Sequence, residues 1–168
     1  LGADRGMAAA LAIANHFNKS DIALIVAGKI DCPEAEQLVK CDSVMYLGKV
    51  SNAEALASYI CSDYVLTYYD PKHEINTMAQ SNKWGDALAL GSRVIVNTEV
   101  KTAGFLREQN GCIFCPYHDH IDLIAQLERV IATPKQNSVH DSNSFLVFED
   151  QLDQLFAEFG QLPLPNSR

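Results

Sequence analysis

Ser81-Asn-Lys-Trp-Gly-Asp-Ala-Leu-Ala-Leu-Gly91, running directly into Ser92-Arg-Val-Ile-Val-Asn97, changes its hydrophobic period halfway along. In the first half Trp84, Ala87 and Leu88 share a helical face, Ala and Leu favour the helix, and Gly91 supplies a left-handed stop. The second half is a short apolar run rich in β-branched residues and predicts a buried strand. Lys83 and Asp86 lie three apart and so face the same way. With the free N–H groups of Ser81 and Asn82, Lys83 makes a helix N-terminus suited to phosphate; Asp86, one turn deeper, suits vicinal hydroxyls. That pattern predicts a nucleotide-diphosphate site.

Outward from this stretch, strands and helices alternate. Towards the N-terminus, Arg5-Gly6-Met7 opens a helix to about Phe17, and the apolar run Ile22 to Ala27 predicts a strand buried on both faces. Pro33 starts a short helix to Lys40, Val44 to Leu47 is a strand closed by Gly48, and Ser51-Asn-Ala-Glu54 is a capping box. The helix that follows carries Leu56, Tyr59 and Ile60 towards the core, and Tyr64 to Tyr69 is the next strand. Asp70 to Gln80 is polar, contains Pro71, and reads as a loop. Beyond the opening stretch come a helical segment around Thr102 to Gln109, the Asn110-Gly111 turn, a strand at Cys112 and a helix from about Asp119 to Ala132. This order predicts an α/β fold, Rossmann-like and doubly wound, with a mostly parallel sheet and helices on both faces.

The domain is expected to cover residues 1–134. Residues 135–168 read as a polar linker followed by an amphipathic helix. Its stripe of Phe145, Phe148, Leu152, Leu155, Phe156 and Phe159 would pack on the domain or on a partner domain.

Composition narrows the partners. With 168 residues, 48% of them hydrophobic, the chain supports one packed domain better than two thin ones. A formal net charge of -8 argues against a nucleic-acid backbone, where affinity comes from clustered Lys and Arg. No apolar run reaches the length of a membrane span, and the opening residues lack the blocks of a signal peptide, so a cytoplasmic protein is expected. Five scattered cysteines fit reduced thiols. The cluster Cys112-Ile-Phe-Cys115-Pro-Tyr-His118-Asp-His120 is no zinc signature if it is a strand, because residues three apart on a strand point to opposite faces. No metal is expected. His16, His73, His118, His120 and His140 pair with no nucleophile motif and read as structural or surface residues.

In an open α/β sheet, ligands bind at the carboxyl ends of the strands. The segments expected there are Arg5-Gly6, Gly28-Lys29, Gly48-Lys49-Val50, the Asp70 to Gln80 loop and the start of the organising helix. Each charge has a plainer reading as solvated surface. What favours a site is their shared rim.

Tyr46-Leu-Gly-Lys-Val50, the run Ala55 to Leu66 and Lys83-Trp-Gly-Asp-Ala-Leu-Ala-Leu-Gly-Ser-Arg-Val-Ile-Val96, followed by Asn110-Gly-Cys-Ile-Phe-Cys-Pro116 and an amphipathic helix, carry a family resemblance. In order and spacing they resemble the C-terminal, nucleotide-sugar-binding domain of GT-B fold glycosyltransferases of the retaining group 1 family. The resemblance spans nearly the whole chain.

It implies a domain that binds a nucleoside diphosphate sugar as substrate, with no separate cofactor. Arg5 matches the second of a basic pair that neutralises the diphosphate, beside Gly6. Ser81, Asn82 and Lys83 match the turn that holds the distal phosphate, Asp86 the carboxylate on the ribose hydroxyls, and Val50 the segment against the base. Arg5 and Lys83 would carry the catalysis by stabilising the departing diphosphate. The family's Glu is here Asp86, and the partner carboxylate eight residues earlier is Met78, so Glu74 would take that role from a longer loop. The family pattern also places a strand and an N-terminal acceptor domain ahead of this chain. A longer enzyme is therefore expected, working in the cytoplasm or at the inner membrane through that domain, with cell-surface polysaccharide assembly as the commonest setting. A nucleotide-sugar epimerase of the same fold and a non-catalytic α/β assembly module are the alternatives.

Overall fold

The structure is a computed structural model and describes residues 1–133; the linker and tail expected over 135–168 lie outside the described residues. A 3-10 turn at Ala3–Arg5 leads into α1 (Met7–His16), followed by β1 (Leu24–Val26), α2 (Pro33–Leu38), β2 (Val44–Tyr46) and α3 (Asn52–Ile60). Then come β3 (Tyr64–Thr67), α4 (Glu74–Thr77), α5 (Asn82–Ala89), β4 (Arg93–Asn97), a 3-10 segment at Lys101–Glu108, β5 (Ile113–Cys115) and α6 (His120–Ala132). The chain is an α/β protein in which every described strand pairs in parallel.

Local chemistry accounts for the element ends. Ser51 caps α3: its hydroxyl accepts from the Glu54 N–H, while the Glu54 carboxylate accepts from the Ser51 N–H at 2.7 Å. Past the end of α5, Gly91 takes φ 85°, where a residue with a Cβ would be strained. Asp119 caps α6 by accepting from the Asp122 N–H at 3.0 Å.

Instead of one sheet there are two, with order β1-β2 and β3-β4-β5. The three-stranded sheet has helices on both faces. Ile95, Ile113 and Cys115 face Ala9 and Ile13 of α1 and Leu123 and Leu127 of α6. Val65, Val94 and Val96 face Trp84 and Ala87 of α5, together with Ala103 and Leu106. The two-stranded sheet packs Val26 against Met7 and Ala10 of α1 and Ala35 and Leu38 of α2.

Three further expectations are corrected. The strand expected to be buried on both faces is buried on one only, since Ile25 is 37% exposed and its register partner Met45 61%. The described helices cover the opposite face of that sheet. Ile60 is 65% exposed; Tyr59 makes the contact with the Trp84 cluster, and Ile60 lies about 100° further round the helix. The polar loop contains α4, because Asp70 nucleates a turn: its carboxylate accepts from the Lys72 N–H and its carbonyl from Asn76 Nδ2.

Candidate functional site

The carboxyl ends of β3, β4 and β5 are joined by a hydrogen-bonded frame. Asn97, fully buried at the end of β4, uses its side chain as a ladder rung: Oδ1 accepts from the Tyr69 N–H at 2.8 Å and Nδ2 donates to the Tyr69 carbonyl at 3.1 Å. The same Nδ2 donates to Glu99 at 2.8 Å, and the Glu99 carboxylate accepts from the Tyr117 N–H at 3.0 and 3.2 Å. The Tyr117 hydroxyl reaches the Ala3 carbonyl at 3.3 Å, and the Asp70 N–H donates to the Asp4 carbonyl at 3.0 Å. Residues 3–5 are thus pinned across the strand ends.

Arg5 sits on this frame. Its guanidinium lies 4.9 Å from the centre of the Tyr69 ring and 3.5 Å from the Asp4 carboxylate, with half of the side chain exposed. The arginine is held in place from below, and its outer edge is open to an anion. Gly6, next in sequence, is buried at φ 74°, and a Cβ there would stand 2.5 Å from the Cβ of Tyr68. Only glycine lets α1 start this close to β3.

Tyr59 of α3 packs against the core cluster that holds Tyr69 together with Trp84 and Ala87 of α5. Burial raises the Tyr59 hydroxyl above its ordinary range, and the negative charges of Asp86 and Tyr69 add to the shift. Asp86 and Lys83 are both exposed on α5. No side chain caps the first turn of that helix, which leaves the amides of Asn82 and Lys83 to an outside acceptor. A cation, uncapped helix amides and a carboxylate on one rim can bind a phosphate with an adjoining diol.

Of the residues singled out in the sequence, Arg5 stands on the Tyr69 ring and Asp86 on the exposed face of α5, the helix whose Trp84 shares a core cluster with Tyr69. Ser81, Asn82 and Lys83 form the start of α5, with Ser81 in the cap position. Gly6 acts through packing on Tyr68. Val50 is half-buried in the turn ahead of the Ser51 cap, and Glu74 is exposed at the start of α4, where its carboxylate makes no ion pair with Arg5 or Lys83. Sequence reasoning missed Tyr59, Tyr69, Asn97, Glu99 and Tyr117. The signal for Asn97 was available, as an amide closing the apolar run Val94-Ile-Val; the others had none.

The cysteine and histidine cluster divides as strand geometry requires. Cys112 packs with the α5 face and Cys115 with the α6 face. Burial pushes the Cys115 thiol up to about 11, and the thiol donates to the Asp119 carbonyl, so it is a core group and not a nucleophile. Among the described residues no group of three or more His, Cys, Asp or Glu converges as metal ligands. No helix among them is long and apolar enough to cross a membrane. An open cavity of about 290 Å³ lies at the other end of α1, lined by His16, Phe17, Asp21, Glu128, Ile131 and Ala132. Its carboxylates and lack of a free cation suit an anionic ligand poorly, so the rim is the stronger candidate. No protein-family model matches the chain, and no curated protein is similar enough to be matched to it.

Proposed function

We propose that this chain is the donor-binding part of a glycosyltransferase that moves a sugar from a nucleoside diphosphate sugar to an acceptor. The observation that carries the reading is Arg5 seated on the Tyr69 ring, in the same core cluster as Trp84 of α5, whose start is uncapped and whose Lys83 and Asp86 are exposed. In this reading Arg5, Lys83 and the α5 amides take the diphosphate, and Asp86 takes the ribose hydroxyls. The reaction breaks the bond between the anomeric carbon and the diphosphate oxygen. The residues named stabilise the charge that grows on that oxygen, an electrostatic contribution that needs no proton transfer from this chain. The acceptor would be presented by another domain of a longer enzyme, in line with the family resemblance.

Titration calorimetry with UDP, GDP and ADP tests the reading. One of the three should bind, and Arg5→Ala and Asp86→Ala should each weaken it by roughly 10–100-fold, the usual worth of a hydrogen bond to a charged group. Unchanged affinity in both variants, or no binding by the natural polypeptide, would reject it. Binding with conversion of the sugar but no transfer to an acceptor would favour an epimerase instead.

A further inference from the structure

One carboxylate at the strand ends has the wrong sign for an anion site. Glu99 is half-buried two residues beyond β4, and a negative group near a diphosphate opposes its binding. Its oxygens are taken up by the protein. Oε2 accepts from Asn97 Nδ2 at 2.8 Å, and the Tyr117 N–H, two residues beyond β5, is shared between Oε1 at 3.0 Å and Oε2 at 3.2 Å.

Each of these bonds begins a path to the segment that carries Arg5. On the first, Asn97 uses both amide hydrogens, one on Glu99 and one on the Tyr69 carbonyl at 3.1 Å, and accepts from the Tyr69 N–H at 2.8 Å. Tyr69 in turn sets its ring 4.9 Å from the Arg5 guanidinium. On the second, Tyr117 is 7% exposed and its ring lies 5.9 Å from that of Tyr68. Its hydroxyl donates to the Ala3 carbonyl at 3.3 Å, and Arg5 closes the same turn by donating its N–H to Gly2 at 3.0 Å. A third tie, from the Asp70 N–H to the Asp4 carbonyl, does not pass through Glu99. Two of these three supports of residues 3–5 therefore meet at one carboxylate.

We infer that Glu99 is a positioning residue for the diphosphate: by holding Asn97 and Tyr117 together it fixes the place of Arg5, and so favours an anion that its own charge would repel. The inference rests on the reading of the rim as a nucleoside diphosphate site. The carboxylate is needed because it accepts on both sides at once. Glu99→Gln keeps the shape of the side chain but leaves a single acceptor oxygen, and turns an NH2 group towards either Asn97 Nδ2 or the Tyr117 N–H, donor against donor. One of the two supports is lost.

A double-mutant cycle in the natural polypeptide tests it, with UDP, GDP and ADP titrated into the parent, Glu99→Gln, Arg5→Ala and the double variant. Glu99→Gln should weaken the nucleotide that binds by on the order of 10-fold, although it removes a negative charge. In the Arg5→Ala background the same change should alter affinity by less than about 2-fold, because the group it positions is gone. In NMR spectra without nucleotide, the Arg5 side-chain resonances, shifted by the Tyr69 ring in the parent, should move in Glu99→Gln towards those of an exposed arginine. If Glu99→Gln folds poorly by far-UV circular dichroism, Tyr117→Phe, which frees only the Ala3 carbonyl, carries the same cycle. Equal losses in both backgrounds would make Glu99 a general support of the fold and overturn the inference. So would unmoved Arg5 resonances, or unchanged or tighter binding, the result expected of charge alone. A parent that binds none of the three nucleotides would reject the reading of the rim itself, and the inference with it.

Discussion

At the scale of single residues, a buried polar pair anchors the three-stranded half of the domain. The Trp84 indole N–H donates to the Thr67 hydroxyl at 2.8 Å, and that hydroxyl donates to the Ile95 carbonyl at 3.2 Å. Trp84 is 1% exposed and Thr67 4%. The pair fixes α5 on β3, and with it the direction in which Lys83 and Asp86 project. Thr67→Val keeps the shape of the side chain and leaves a buried indole N–H without a partner. It should cost about 1–3 kcal/mol in chemical denaturation, with little change in the slope of the transition. The composition of the strand does not announce this pair, because a threonine in a β-strand is ordinary. Asn97 differs: an amide at the end of an apolar strand is legible as an exception, although its partner on β3 is 28 residues away.

At the scale of elements, short-range chemistry does most of the work and the sequence can be read directly. The Ser51 capping box is both expected and found. Hydrogen bonds from the Ser51 N–H, and then from its hydroxyl, hold the Glu54 carboxyl below the ordinary glutamate range. A carboxyl lowered in the folded state stabilises above its ordinary value, and the contribution is lost as pH falls through the lower folded one. Glu54→Ala should therefore lower Tm by roughly 1–3 °C at neutral pH, an effect small because the group is exposed. The difference from the parent chain should close in acid, which thermal melts across pH will show. α3 also marks where element-level reading stops. Its apolar residues are spaced for a helix, but only the packing decides that Tyr59 meets the α5 cluster while Ile60 stays in solvent.

At the scale of the whole molecule, α1 is the common support. Ala9 and Ile13 belong to the core of the three-stranded sheet and Met7 and Ala10 to that of the two-stranded one. Ile13, 2% exposed, should cost about 2–5 kcal/mol when cut to alanine. Because one helix serves both cores, the loss should shift Trp84 fluorescence and far-UV circular dichroism together. Two separate transitions would show that the two sheets are energetically independent. The net charge of -8 also acts at this scale, since an anionic ligand would have to be drawn in by the local cations of the rim against the field of the whole chain.

The order of helices and strands, the capped and glycine-terminated ends, and the exposed pair Lys83 and Asp86 were determined by the sequence itself. These features depend on residues one to four positions apart, and their period and propensity are written locally. Tertiary structure alone decided that the strands form two sheets. It also seated Arg5 on Tyr69, packed Tyr59 against the cluster of Tyr69 and Trp84, and tied Glu99 to the loop after β5. Those outcomes depend on which backbone edges meet across tens of residues, and no local spacing records that choice.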